Sequence, residues 1–597
     1  MSGSLRQLSR EILPSALFPR KPIVRFASEQ DRCCGHRLAV QKTRRKTVVT
    51  LNGRLIAHET VHNCPVCLHV YTSKALLQMV AGHCNVAYDV LVFVGKALFQ
   101  RYRTAEEVRI ELASRDVRLS ESEINYLGRK FICYLAHGHR RAMPRINQAM
   151  ALAGGYILHL DAMHEHDAPA LMTGIDSLSK IVLANMKLPS EHNDHITPFL
   201  KKLKTDHGTP LACVHDMGLG ILKAVAEVFP GVRDFICHFH FLRDIGKDYL
   251  GSSYDRLRKR LRHHTISSRL HAIIREGQHC LKAHDYSAES LLKAFEASQN
   301  FDQDKRALST ASAYSLALWA LNGKHCGDGY GFPFDLSLLE FAGRLTKLHR
   351  CLDKLFHSGA NRHEHLLLKK LVRLSSDIAK DTELIAAADE LIWRREIFDR
   401  LRIAMRIAPS GGSQGINDDG TTQVMSSIRH DVKQFRRELE PKLPVDALSS
   451  KMAEQIDKYG DKLFADPIEV DTPRGKIVIY PQRTNNILEQ FFRGIRRKHR
   501  RKTGNNSMQR VLQTMLSDTP LIKNLGNPKY MDILLDGKAN LEELFAEIGN
   551  ISLENTAESK ANTDRILPGF RTLAKRINLP DQVVRLYNSV LQRSESN

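Results

Sequence analysis

At 597 residues the chain is too long for one hydrophobic core, and three or more domains are expected from size alone. Lys plus Arg at 88 against Asp plus Glu at 66 gives a net charge of +22, which selects for polyanionic partners, nucleic acid first. No run of about 18 apolar residues can span a bilayer, no signal-peptide core precedes Arg20 and Lys21, and eleven cysteines argue against a secreted disulfide framework, so a cytoplasmic protein with reduced or metal-bound thiols is expected.

Residues 1–30 are basic and unpatterned and read as a tail. A zinc ribbon is expected over 31–85. DRCCGH and HNCPVC each place two candidate ligands two residues apart, Cys33 with His36 and Cys64 with Cys67, and the alternating KTVVTL between them reads as strand. The interval between the pairs is longer than zinc ribbons usually show, so Cys34, His58, His62, His83 and Cys84 are each able to replace a ligand. Buried free thiols are the competing reading; the polar setting of CPVC beside Pro65 and His69 weighs against it.

Over 86–150 the pattern is helical, with two amphipathic stretches split at Asp116. Ser120 and Glu123 spell a capping box, and Ile124, Leu127 and Phe131 recur at helical spacing. A helix-turn-helix presenting Asn125, Arg129 and Lys130 to DNA is expected, and a purely structural helix pair fits the same pattern.

From residue 151 the period changes. GGYILHLDAMH, ALMTGIDS and KIVLANMKL read as three successive strands, then NDHITPFLKKLKTDHG as helix, LACVHDM as strand, GLGILKAVAEVFPG as helix and RDFICHFHF as a further strand, hence a mixed α/β sheet over 151–250. Residues 251–474 read as an all-helical insertion. Leu338, Phe341, Leu345, Leu348, Leu352 and Leu355 mark one core-facing stripe, and Leu384, Leu391, Phe398 and Met405 mark another; the Gly/Ser-rich 408–422 reads as a loop. The sheet region resumes over 475–520 with the strand-like GKIVIYP, and 521–597 reads as a helical tail.

Three acids carry the chemistry. Asp161 in YILHLDAM and Asp216 in LACVHDMG each end an apolar strand, where α/β sheets place ligands. Glu489 opens TNNILEQFFRGIRRKHRRKTG, sharing a helix face with Arg493, Arg496 and Arg500, while Leu488, Phe492 and Ile495 lie on another; Asn486 sits three residues before Glu489 in a box-like cap. Carboxylates are what Mg²⁺ (or Mn²⁺) selects, and three of them suit a two-metal phosphoryl transfer. Turn or cap duties are the ordinary alternative for each acid taken singly. His159, His164 and His166 flank the first acid and rank as neighbours, since hard Mg²⁺ prefers oxygen.

As a set, HLDAMHEHD, VHDMGLGILKAVAEVFPG, ICHFHFLRDIGKD and TNNILEQFFRGIRRKHRRKTG resemble a DDE transposase with a ribonuclease-H-like core, of the insertion-sequence or Mutator-like type. The resemblance spans 151–250 and 475–515, and more loosely the zinc-ribbon and helix-turn-helix front end. It implies a core interrupted by a helical insertion, a catalytic and Mg²⁺-binding triad of Asp161, Asp216 and Glu489, and phosphate contacts from Arg493, Arg496, Arg497, Lys498, Arg500, Arg501 and Lys502. Cys237 and His240 match its C-x2-H signature and take a structural role near the site, with a packed thiol and a satisfied histidine as the alternative. It further implies terminal inverted repeats and target DNA as partners, a homodimer or larger homo-oligomer on DNA, and a nucleoid-associated place in a prokaryotic cell. A ribonuclease-H-like nuclease without strand transfer and a non-catalytic regulator descended from a transposase are the alternatives.

Overall fold

The computed structural model describes residues 22–283, 305–323, 327, 329–357, 366–407, 422–442 and 446–551. The chain is mixed α/β and divides into two units, one from the segments up to Phe235 and from Pro467 onward, the other from Ile236–Asp466. No helix among the described residues is long and apolar enough to cross a membrane.

The first unit begins with strands β1 (Ile23–Ala27), β2 (Arg32–Cys33), β3 (His36–Arg37), β4 (Ala39–Thr50), β5 (Gly53–Asn63) and β6 (Val70–Tyr71). The expected tail is therefore in part a strand, since Ile23–Ala27 pairs in parallel with β5; residues 1–21 lie outside the described residues. β4 and β5 form a long antiparallel hairpin, and Val48, Ala57, Leu76, Val80 and Ala87 close a small core beneath it.

A short helix, Lys74–Met79, and three longer ones, Tyr88–Phe99, Ala105–Ala113 and Glu121–Leu152, follow. The last two each start at a complete capping box, Thr104 with Glu107 and Ser120 with Glu123, and Asp116 in the left-handed region (φ 56°) marks the break between them. The second, the capped helix expected to carry Asn125, Arg129 and Lys130, runs 32 residues. Its apolar face shares one continuous core with the main sheet, so it is not the wall of a separate small domain.

The main sheet consists of β7 (Ile157–Met163), β8 (Ala170–Asp176), β9 (Val182–Leu188), β10 (Ala212–His215) and β11 (Arg233–Ile236) in the order β11-β10-β7-β8-β9. β7, β8 and β9 are antiparallel neighbours, and β10 lies parallel beside β7. Ile157, Leu158, His159 and Leu160 are all buried, and so is the whole of β8; near-continuous apolar runs are what a sheet covered on both faces requires. Helices Asn193–His207 and Leu219–Val228 supply cover through Ile196, Phe199, Leu200, Leu203, Ala224 and Val225. The hairpin β12 (Ile468–Thr472) and β13 (Gly475–Ile479) leads back toward the helix Asn486–Thr503.

The segment after 520 is not a peripheral tail as far as it is described. Asn524 exchanges two hydrogen bonds with the Val182 backbone on the edge strand β9, Nδ2 donating at 2.9 Å and Oδ1 accepting at 2.8 Å. Tyr530, Leu534 and Phe545 are buried in the same core as the long helix, where Phe545 stacks on Tyr134 at 4.8 Å. Residues 552–597 lie outside the described residues.

In the second unit RDFICHFHF departs from the strand reading: β11 stops at Ile236 and a helix runs His238–His263. The buried positions Leu242, Ile245, Tyr249, Ser253 and Leu257 repeat every three to four residues, and the helical period wins over the short apolar run. The helix Thr382–Met405 buries Leu384, Leu391, Phe398 and Met405, as their spacing predicts. On Ser337–His357, Leu345, Leu348 and Leu352 are buried and Leu338 and Phe341 partly so; the Leu355 side chain and, up to Thr421, the expected loop 408–422 lie outside the described residues.

Candidate functional site

Asp161 lies within β7 and not at its end, because Ala162 and Met163 continue the ladder opposite Met172 and Leu171. Asp216 follows β10 directly, one strand over. Each accepts one local backbone N–H, Asp161 Oδ1 from Ala162 at 2.8 Å and Asp216 Oδ1 from Gly218 at 3.0 Å. Asp176, on β8, shows what a purely structural acid looks like in this sheet: its two oxygens accept from Ile157, Leu178 and twice from Ser179. Asp161 has no such set. Burial first, then the charge of Asp216, with Glu489 and Glu191 adding to it, pushes its carboxyl well above the usual carboxylate range. Three acids from three other segments thus act against the charge of Asp161.

Asp161, Glu191, Asp216, Gly218, Ile196 and Ile221 line a cavity of about 20 Å³, room for roughly one water-sized occupant. Glu191 escaped the sequence reading. Its signal was present, an acid two residues before the start of the helix at Asn193, and in the structure its Oε1 lies 3.1 Å from His164 Nδ1. His164 is thereby a neighbour of the acids, whereas exposed His166 is not placed among them.

Glu489 reaches this place because its helix is tied to β7 at its N-cap. Asn485, fully buried, donates from Nδ2 to the Leu160 carbonyl at 2.8 Å, and its Oδ1 lies 3.1 Å from His159 Nδ1. His159 and Asp161, two apart in β7, share a strand face, so the helix is clamped on the side that bears the acid. The box expected between Asn486 and Glu489 does not form: Asn485 is the N-cap residue, and it turns its side chain to the sheet and not to its own helix. Beyond the helix, Glu165 Oε2 accepts the Met508 N–H at 2.9 Å, fixing the far end to the turn after β7.

Leu488 and Phe492 are buried, Ile495 is half-buried, and Arg493, Arg496, Arg497, Arg500, Arg501 and Lys502 are exposed. None of these five arginines has an ion-pair partner among the described residues. Lys498 differs, with its ammonium 2.6 Å from the Tyr102 hydroxyl and 4.0 Å from the ring centre.

The cysteine group at the ribbon tip consists of Cys33, Cys34, Cys64 and Cys67, whose sulfurs all lie within 4.8 Å of one another. Cys34 takes the place expected for His36, whose Nδ1 instead lies 2.9 Å from the Cys34 carbonyl oxygen. The exchange follows from the backbone, since Cys34 and Gly35 are both left-handed (φ 51° and 77°) and swing adjacent cysteines to one point. Cys33 Sγ stands 3.6 Å from both Cys34 Sγ and Cys67 Sγ. A disulfide needs about 2.05 Å; four thiolates about 2.3 Å from a tetrahedral zinc stand about 3.8 Å apart. The Cys67 N–H lies 3.5 Å from Cys64 Sγ and brings that thiol down to about 7. The four cysteines could therefore hold a metal such as zinc. His58, His62, His83 and Cys84 are outside the group.

On the long helix Asn125 and Arg129 are exposed, but Lys130 is buried, its ammonium donating to Cys84 Sγ at 3.2 Å and lying 6.0 Å over the Tyr134 ring. It sits on the packing face with Leu127, Phe131 and Tyr134, which removes it from the expected DNA-facing set. Cys237 and His240 are both buried at the start of His238–His263 in the second unit. No protein-family model and no curated protein matches the chain.

Proposed function

We infer that the chain is a DNA transposase of the DDE type, cutting and joining DNA at the ends of a mobile element. The observation that carries this reading is the approach of Asp216 and Glu489, both far away in sequence, to Asp161, with Glu489 on a helix whose five arginines have no ion-pair partner among the described residues. The strand order, three antiparallel strands with β10 parallel beside the first, supports a ribonuclease-H-like core.

An all-oxygen donor set gathered around Asp161 fits a hard dication. Asp161, Asp216 and Glu489, with Glu191 beside them, would hold Mg²⁺, which supplies a nucleophile at neutral pH and stabilises the leaving oxygen. The remaining work falls to the protein. Arg493, Arg496 and Arg500 lie on the Glu489 face of the helix and draw phosphates to it, and Asn485 keeps that helix in register with β7. The charge of +22 attracts duplex DNA without regard to sequence, leaving end recognition to the front end, where Asn125 and Arg129 are exposed.

The test is to incubate the full chain and Mg²⁺ with DNA from the borders of its own gene, pre-cut at an inverted repeat, and with a target plasmid. Joined end–target products support the reading. Nicking without joining makes the protein a nuclease, and end binding with neither product makes it a regulator.

A further inference from the structure

His215 is fully buried beside the second acid, and nothing in the reading above employs it. It is the last residue of β10. Its ring bridges two acceptors: Nδ1 lies 2.6 Å from the Asp216 carbonyl oxygen, and Nε2 lies 2.5 Å from Oδ1 of Asp234 on β11, the strand beside β10. Asp216 stands immediately past the end of its strand, where ladder hydrogen bonds no longer hold the backbone. A strand end is the least constrained part of a sheet, yet a metal-ligating carboxylate must keep its place to a fraction of an ångström. The ring replaces the missing ladder bond from one side, and the Gly218 N–H steadies Asp216 Oδ1 from the other, leaving Oδ2 outside both bonds.

We propose that His215, oriented by Asp234, is a positioning residue that fixes the Asp216 backbone so that its carboxylate is preset for a divalent cation. The role rests on the carboxylate reading above and deepens it. The pair stands to Asp216 as Asn485 and His159 stand to Glu489, each a buried polar link between the acid's segment and a neighbouring element. Partners that orient a metal ligand without touching the metal commonly change affinity by about 10- to 100-fold. A histidine that only packs would leave affinity untouched.

Mn²⁺ binding to the full chain, followed by electron paramagnetic resonance, separates the two. His215→Leu and Asp234→Asn should each weaken Mn²⁺ about tenfold or more, while His215→Asn, which keeps a donor near the Asp216 carbonyl, should recover most of the loss. DNA affinity without metal and the melting temperature serve as folding controls, and if His215→Leu fails them Asp234→Asn decides alone. Wild-type Mn²⁺ affinity in a folded Asp234→Asn variant overturns the positioning role and leaves the carboxylate reading standing. Absence of Mn²⁺ binding by the wild-type chain overturns both.

Discussion

Gly220 decides where Glu191 stands. A Cβ at this helical residue would overlap the Glu191 backbone carbonyl, which has no side-chain freedom with which to yield. Gly220→Ala should therefore push the segment before Asn193 away from Asp161 and cost about 1–3 kcal/mol, whereas Gly494→Ala, with nothing within 4 Å of its Cβ, should stabilise its helix by about 0.5–1 kcal/mol. Thermal melts of the two variants check the contrast, and equal shifts would refute the close approach. At this scale much was legible. Asp161 and Asp216 stand out because each closes an apolar strand-like run, and Glu489 because it is the carboxylate ahead of a basic run whose helix face it shares. Lys130 does not: its burial depends on Cys84 and Tyr134, which no local pattern names as partners. Glu191 was missed because an acid just before a helix is the commonest of cap signals.

Among the elements, the ribbon and the basic helix make opposite demands. The ribbon tip needs its ligands from two turns, and the exchange of His36 for Cys34 arises from left-handed backbone at Cys34, which residue spacing does not encode. Zinc measured in the purified chain should fall by one equivalent in Cys34→Ser and stay unchanged in His36→Ala; the reverse result would restore the original ligand set. On the helix Asn486–Thr503 the periodicity was legible and the cap was not, because Asn485 spends its amide on β7 across a long sequence gap. Arg496→Ala with Arg500→Ala should weaken binding to end and random DNA alike and lower the slope of log affinity against log salt by about 2. A loss confined to end DNA would mean that this face reads bases.

For the whole molecule, the first unit is held by polar links between distant segments as well as by its core. His139 joins the long helix to the edge strand β9 and to the segment after residue 520, its Nδ1 2.9 Å from the Tyr530 hydroxyl and its Nε2 3.0 Å from the Leu183 carbonyl. Burial lowers His139 and His159 to about 4, while the unfolded chain titrates near 6.5. Between those values the unfolded state binds more protons, so stability present above about pH 6.5 is lost as pH falls toward 4, up to about 3 kcal/mol per histidine. Buried Asp176 and the partly buried Asp89, Asp161 and Asp518, all raised, act in the opposite sense. The clean measurement is thus a difference: the melting temperature of His139→Gln should fall less steeply from pH 6.5 to 4 than that of the wild type, and parallel curves would contradict the buried neutral histidine. The packing of Tyr530 and Phe545 into the core lay beyond sequence reading, since an amphipathic segment does not say which surface it covers.

The central claim is that three carboxylates act as one site, and Glu489→Gln tests it most directly. Glutamine keeps the volume and the helix start, whose hydrogen bond runs from the Glu489 backbone N–H to the Asn485 carbonyl at 3.0 Å and does not involve the side chain. Only the negative charge is removed, at a helix-dipole cost of about 0.3–1 kcal/mol. Strand transfer with Mg²⁺ on a pre-cut end should fall by several orders of magnitude, on the order of what losing metal activation costs, while end binding and melting temperature stay close to wild type. Strand transfer at the wild-type rate by a folded Glu489→Gln variant would show that Glu489 merely opens a helix, and the three-carboxylate site would be contradicted with it.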